Sequence, residues 1–180
     1  MTRLHIGCGT NPLPGWINID REARADGVVT DVNPAALPYA DASVDEVLSE
    51  HVFEHFGAAE EQAVWREMAR VIRPGGVLTV EVPDFEWVCE TFLAAKDEWR
   101  EFYQVGHPDH YAGHGRALDQ RWGILQTMFF GNQNGPGQFH RTAYTEQKLR
   151  ALAAMLGFQT ITVKSIFNKG GQALRATLTR

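Results

Sequence analysis

At 180 residues the chain has the size of one domain and can bury a core without disulfide or metal staples. Leu, Ile, Val and Phe make up about a quarter of it, above the level at which disorder becomes the better expectation. A formal net charge of −5 excludes an overall basic field for nucleic acid or an anionic membrane, and two cysteines, Cys8 and Cys89, are too few for a disulfide framework. No apolar run is long enough for a membrane span and no signal-peptide pattern opens the chain. The expectation is a single cytoplasmic domain over 1–180.

In chain order, Leu4–Ile6, Trp16–Ile19, Val28–Thr30 and Val44–Leu48 read as short β-strands bounded by Gly, Pro, Asp and Asn. Ala58–Arg73 reads as a helix with Val64, Met68, Val71 and Ile72 on one face, ended by Pro74-Gly75-Gly76. Val77–Val82 is a fifth strand. Residues 85–140 break the alternation: Val88, Phe92, Ala95, Trp99 and Phe102 make one helical stripe, and Leu118, Trp122, Leu125 and Phe129 another. An excursion after a strand's C-terminal end is where a cover over a substrate site belongs in an α/β fold. Thr145 then caps a helix carrying Leu149, Leu152, Ala153 and Leu156, closed by Gly157. Ile161–Phe167 and Ala173–Leu178 read as a closing antiparallel pair joined at 168–171.

Leu4-His5-Ile6-Gly7-Cys8-Gly9 is a strand running into a glycine-bounded turn, with Asp20 at the tip of the next strand. Glycines let backbone close on a ligand, and a carboxylate so placed can take two ribose hydroxyls. With Leu37-Pro38-Tyr39-Ala40-Asp41-Ala42-Ser43-Val44-Asp45-Glu46-Val47, Glu50-His51-Val52-Phe53-Glu54-His55 and Arg73-Pro74-Gly75-Gly76 following in order, the chain resembles the class I S-adenosylmethionine-dependent methyltransferases. The likeness is nearest to small bacterial methyltransferases of the type 11 kind, over 4–84 and again over 140–178. It implies a Rossmann-like α/β sheet of seven strands, mostly parallel with the last pair antiparallel, and a helical insert after strand five. Only six residues separate Gly9 from Trp16, so the usual first connecting helix is missing.

The resemblance implies that Gly7 and Gly9 line the methionine end of the cofactor, Asp20 holds the ribose, Asp31 and Val32 flank the adenine, and Ser49 and Glu50 lie under the sulfonium. His5 stands where an acidic residue is usual near the cofactor's amino group. Methyl transfer to oxygen needs a base, for which His51 and His140 are the candidates. His51-x-x-Glu54-His55, read as a helix, places His51, Glu54 and His55 on one face for a divalent metal completed by a later histidine. It is similar to the Glu-x-x-Glu-His segment that binds a divalent ion in ubiquinone-pathway and small-RNA 2′-O-methyltransferases. His107, His110 and His114, with Asp109 and Tyr111, form a second polar cluster, and Cys8 reads as a small packing side chain beside the cofactor.

The expected function is methyl transfer from S-adenosylmethionine to a small-molecule acceptor, a hydroxyl of a sugar or natural product; the acidic charge argues against nucleic acid as acceptor. The alternative is a non-catalytic methyltransferase-like binding or scaffold module. Tyr144-x-x-x-Lys148 copies a dehydrogenase pair, but without that family's three-glycine loop. An apolar sheet face left bare by the missing helix would suit a homodimer.

Overall fold

The computed structural model describes residues 1–94, 127–133, 135, 137–168 and 171–180. Its strands are β1 (Arg3–Ile6), β2 (Ile17–Ile19), β3 (Val28–Val29), β4 (Val44–Glu50), β5 (Ile72–Pro83), β6 (Thr160–Asn168) and β7 (Gly171–Thr179). The helices are α1 (Ala58–Val71), α2 (Phe85–Ala94) and α3 (Glu146–Met155), with a 3₁₀ turn at Phe53–His55. One seven-stranded sheet runs in the order β3-β2-β1-β4-β5-β7-β6. Strands β1 to β5 pair in parallel, and β7 lies antiparallel to both β5 and β6.

Two adjacent rows of side chains explain the layering. Ile17, Leu4, Val47, Leu78, Leu178 and Ile161 stand in register across β2, β1, β4, β5, β7 and β6, an apolar row. One residue further along, the row is Asn18, His5, Leu48, Thr79, Thr177 and Thr162, nearly all polar. Side chains alternate between faces, so the two rows point to opposite sides of the sheet; Leu4, Val47, Leu78 and Leu178 of the first are fully buried. The apolar face packs on Val64, Trp65, Met68 and Val71 of α1 and on Leu149 and Ala153 of α3 in one core. The other face carries mostly polar side chains in the second row.

The first connecting helix is absent, as expected: Gly7–Trp16 is a loop. Asn18, 7% exposed, does the work of a helix for it. Its side chain accepts from Leu13 N at 2.8 Å and donates to Leu13 O at 3.0 Å and Trp16 O at 3.2 Å, so the loop's backbone is satisfied without a helical turn.

Two boundaries differ from expectation. Helix α1 stops at Val71, and β5 begins at Ile72, so Pro74-Gly75-Gly76 lies inside the strand as a bulge. Pairing jumps from Val44↔Ile72 to Glu46↔Val77, and the looped residues are held by Gly75 N–H to Arg180 O (2.7 Å) and Arg180 N–H to Gly76 O (3.0 Å). Thr145 caps α3 as expected, accepting from Lys148 N at 3.2 Å. Of the insert, α2 and a helical stretch at 127–130 meet through Trp87, Val88, Phe92, Met128 and Phe129. Ala95, Trp99, Phe102, Leu118, Trp122 and Leu125, and the cluster His107, Asp109, His110, Tyr111 and His114, lie outside the described residues.

Candidate functional site

A cavity of about 740 Å³ opens at the C-terminal edge of β1, β2 and β4. In a parallel α/β sheet, that edge is where strand tips and their loops face a common crevice. Its walls carry Gly7, Cys8, Gly9, Asp20, Asp31, Val32, Glu50, His51, Glu54, His55 and His140, so most of the residues singled out from the sequence meet there. His5 and Ser49, 3% and 0% exposed, are buried in β1 and β4 and do not line it.

The glycine loop is closed by its own backbone and by Asp20. Gly7 N–H and Cys8 N–H both donate to Ile19 O, and Gly9 N–H donates to Asp20 Oδ2 at 2.8 Å. Asp20 Oδ1 accepts from Glu22 N–H at 3.1 Å. Gly7 has φ +74°, and a Cβ there would stand 2.0 Å from Val52 Cγ2, so no side chain fits. Gly9, at φ +56°, has nothing within 4 Å of where its Cβ would be, leaving bare backbone toward the cavity. Cys8 packs beside it, 3% exposed, and burial pushes its thiol above the ordinary value, which is the opposite of an activated nucleophile.

At the other end, His51 is not on a helix face. Its φ is +56°, and the chain then enters the 3₁₀ turn Phe53–His55, so the expected shared face of His51 and His55 does not form. The His51 ring instead lies between two carboxylates, Nδ1 3.3 Å from Glu54 Oε1 and Nε2 3.2 Å from Glu81 Oε1. Glu81 is 0% exposed. Burial opposes its ionisation, but hydrogen bonds with His51, Asn168 and Arg175 outweigh that and bring its carboxyl down to about 2. Arg175 Nη2 also reaches Glu50 Oε1 at 3.1 Å.

His140 takes the place beside Glu54 and His55 that the sequence reading gave to His51. The ligand atoms of Glu54, His55 and His140 all lie within 4.8 Å of one another. His55 Nδ1 is 3.0 Å from Phe139 O and His140 Nδ1 is 2.8 Å from Met128 O. A carbonyl only accepts, so in the neutral rings each Nδ1 carries the hydrogen and each Nε2 keeps its lone pair. His140 Nε2 is 4.0 Å from Glu54 Oε1. Burial is the largest influence on His140 and holds it below its ordinary value, hence neutral near physiological pH. Burial works against ionisation of Glu54 too, yet the His51 ring, with Nδ1 3.3 Å from Oε1, keeps its carboxyl below the usual range.

The loop before His140 is built to present it. A bridge pairs Gly131 with Phe139, and His140 N–H donates to Phe130 O at 3.1 Å. Gly131 allows this approach, since a Cβ would meet Gln138 O at 2.1 Å. Arg141 N–H then donates to Glu54 O at 2.7 Å, tying the loop to the 3₁₀ turn. The sequence reading missed Glu81, Asn168 and Arg175; a charge inside the β-branched run Val80-Glu81-Val82 was the available signal. Tyr144 and Lys148 are structural: Tyr144 is 1% exposed, its hydroxyl accepts from Trp65 Nε1 at 3.2 Å, and Lys148 pairs with Glu61 at 2.7 Å.

Among the described residues, no helix is long and apolar enough to cross a membrane. Residues 8–80 match the family model of a methyltransferase domain. An uncharacterized methyltransferase of Mycobacterium sp. (strain JLS) is 38% identical over 69 residues, which is 38% of this chain and 27% of that protein's length. A SAM-dependent methyltransferase of Archaeoglobus fulgidus superposes with a TM-score of 0.64 at 13% identity, covering 99% of this chain and 86% of that one. One from Methanosarcina mazei gives 0.60 at 16% identity, over 99% and 92%. The chain thus has the fold of the class I S-adenosylmethionine-dependent methyltransferases, and its residues 8–80 are similar in sequence to a methyltransferase domain.

Proposed function

We propose that the chain binds S-adenosylmethionine at the glycine-loop end of the cavity and transfers its methyl group to a small-molecule acceptor, a hydroxyl of a sugar or natural product. The observation that carries this reading is the continuity of one 740 Å³ cavity from the bare backbone at Gly9 to the imidazole of His140. The cofactor supplies a methyl group activated on a cationic sulfur. Gly9 offers the close backbone approach. Asp20, already oriented by Gly9 N–H, faces the ribose, and Asp31 and Val32 flank the adenine. His140 Nε2 takes the acceptor's proton, and the buried Glu54 carboxylate stabilises the resulting charge.

Calorimetric titration with S-adenosylmethionine and its demethylated product tests the cofactor site. Binding weakened at least tenfold by Asp20→Ala is the expected outcome. No binding of either compound would bring forward the non-catalytic module.

A second reading is favoured by the Glu54 oxygens, which are buried and accept no well-aligned hydrogen bond from a described residue. Glu54, His55 and His140 form a donor set that suits a divalent cation of the zinc, manganese or iron kind, the two imidazoles disfavouring magnesium. When bound, such a cation lowers the pKa of the acceptor hydroxyl. In that case His140 is a ligand rather than the base. Metal analysis with chelation separates the two: full turnover by a metal-free preparation leaves His140 as the base.

A further inference from the structure

Most carboxylates along the cavity have partners of their own. Asp20 accepts from Gly9 and Glu22, Glu22 pairs with Arg24 at 3.0 Å, and Glu50 pairs with Arg175 at 3.1 Å. Two guanidinium groups of the same wall do not. Arg21 and Arg141 both line the cavity, and neither side chain makes a hydrogen bond or ion pair with a described residue. The chain has 22 acidic and 17 basic residues, so unpaired guanidinium groups beside a site are not for want of carboxylates.

Both follow directly on residues of the site. Arg141 follows His140 directly, and its backbone is pinned to Glu54 O at 2.7 Å. Arg21 follows Asp20 at the tip of β2 and lies across Gly137 of the loop that presents His140. The Arg21 guanidinium lies close over Gly137, Nη1 2.3 Å from where a Cβ would stand, and the φ of +81° favours glycine there. Two permanently charged planar forks therefore reach the cavity, one from the cofactor half and one from the acceptor half. Each guanidinium is suited to two-pronged hydrogen bonding to a carboxylate or phosphate.

We infer that the acceptor carries an anionic group, a carboxylate or a phosphate, received by Arg141 and Arg21 while its hydroxyl reaches His140. This rests on the methyl-transfer reading for the hydroxyl but not for the anion. An acceptor so held is the product of a reaction that leaves an acid or a phosphate ester on a hydroxylated skeleton.

The test is calorimetric titration of the full chain with inorganic phosphate and, separately, with benzoate, each with and without S-adenosylhomocysteine. Saturable binding of one anion is expected, weakened about tenfold by Arg141→Gln and further by Arg21→Ala/Arg141→Gln. Phosphate alone would assign a phosphorylated acceptor, and benzoate alone a carboxylic acid. Arg141 is exposed, so Arg141→Gln is not a folding variant. Absence of saturable binding, or equal binding by wild type and both variants, would overturn the inference. Failure of S-adenosylhomocysteine to bind would instead count against the methyl-transfer reading, with the anion result standing.

Discussion

In the cluster with Glu54 and His55, His140 stands where the sequence spacing put His51. His51-x-x-Glu54-His55 has the spacing of one helical face, but the left-handed backbone at His51 turns its ring toward Glu81, with Nε2 3.2 Å from Oε1. A non-glycine residue at positive φ is held there by its surroundings; here His51 N–H donates to Glu81 O at 2.8 Å. His140, 85 positions after His55 in the chain, closes the cluster instead. A His140→Ala variant is expected to lose about 10²–10⁴ in turnover while binding S-adenosylhomocysteine like wild type. Single-turnover kinetics beside calorimetry checks this. Turnover within threefold of wild type would remove His140 from the chemistry.

Among the elements, β2 shows how one polar residue substitutes for a helix. Asn18 sits between Ile17 and Ile19, both of which face the apolar side or its rim, and its amide satisfies Leu13 in both directions. Asn18→Leu strands the Leu13 N–H and C=O and is expected to cost about 1–3 kcal/mol per group left unsatisfied. Urea denaturation reads this as a lower midpoint at unchanged slope; an unchanged midpoint would mean water serves the loop equally well. The strand and helix pattern was legible in the sequence because alternation and capping are local: Thr145, Gly157 and the closing hairpin fall where expected. The absent first helix was legible as a length, six residues between Gly9 and Trp16, but its substitute was not. The bulge at Pro74-Gly75-Gly76 was read as a stop because proline and glycine mark both; only the pairing with Arg180 and β4 distinguishes them. Glu81 could not be assigned to the site because its partners Asn168 and Arg175 lie 87 and 94 residues away.

For the whole molecule, the ionised Glu81 links folding to pH. Its carboxyl falls from an ordinary 4.5 to about 2 on folding, so the unfolded chain binds the proton more tightly. The stabilisation is therefore complete above about 4.5 and is lost as pH falls toward 2. Thermal unfolding followed between pH 6 and pH 3 should show Tm falling in wild type. The fall should be shallower in Glu81→Gln, which starts from a lower Tm because His51 and Arg175 lose their anionic partner. Parallel curves for the two proteins would assign the acid sensitivity to other groups.

The sheet is uneven along its width. β6 and β7 pair over nine residues each, whereas β2 has three and β3 only two. The part of the cavity wall proposed above for ribose and adenine, Asp20, Asp31 and Val32, hangs from that thin margin. Short pairings at a margin open first, and whatever binds only the closed form draws the equilibrium shut. Part of any cofactor affinity is thus drawn on to complete the sheet, so substitutions that stiffen β3 would tighten binding without touching the ligand.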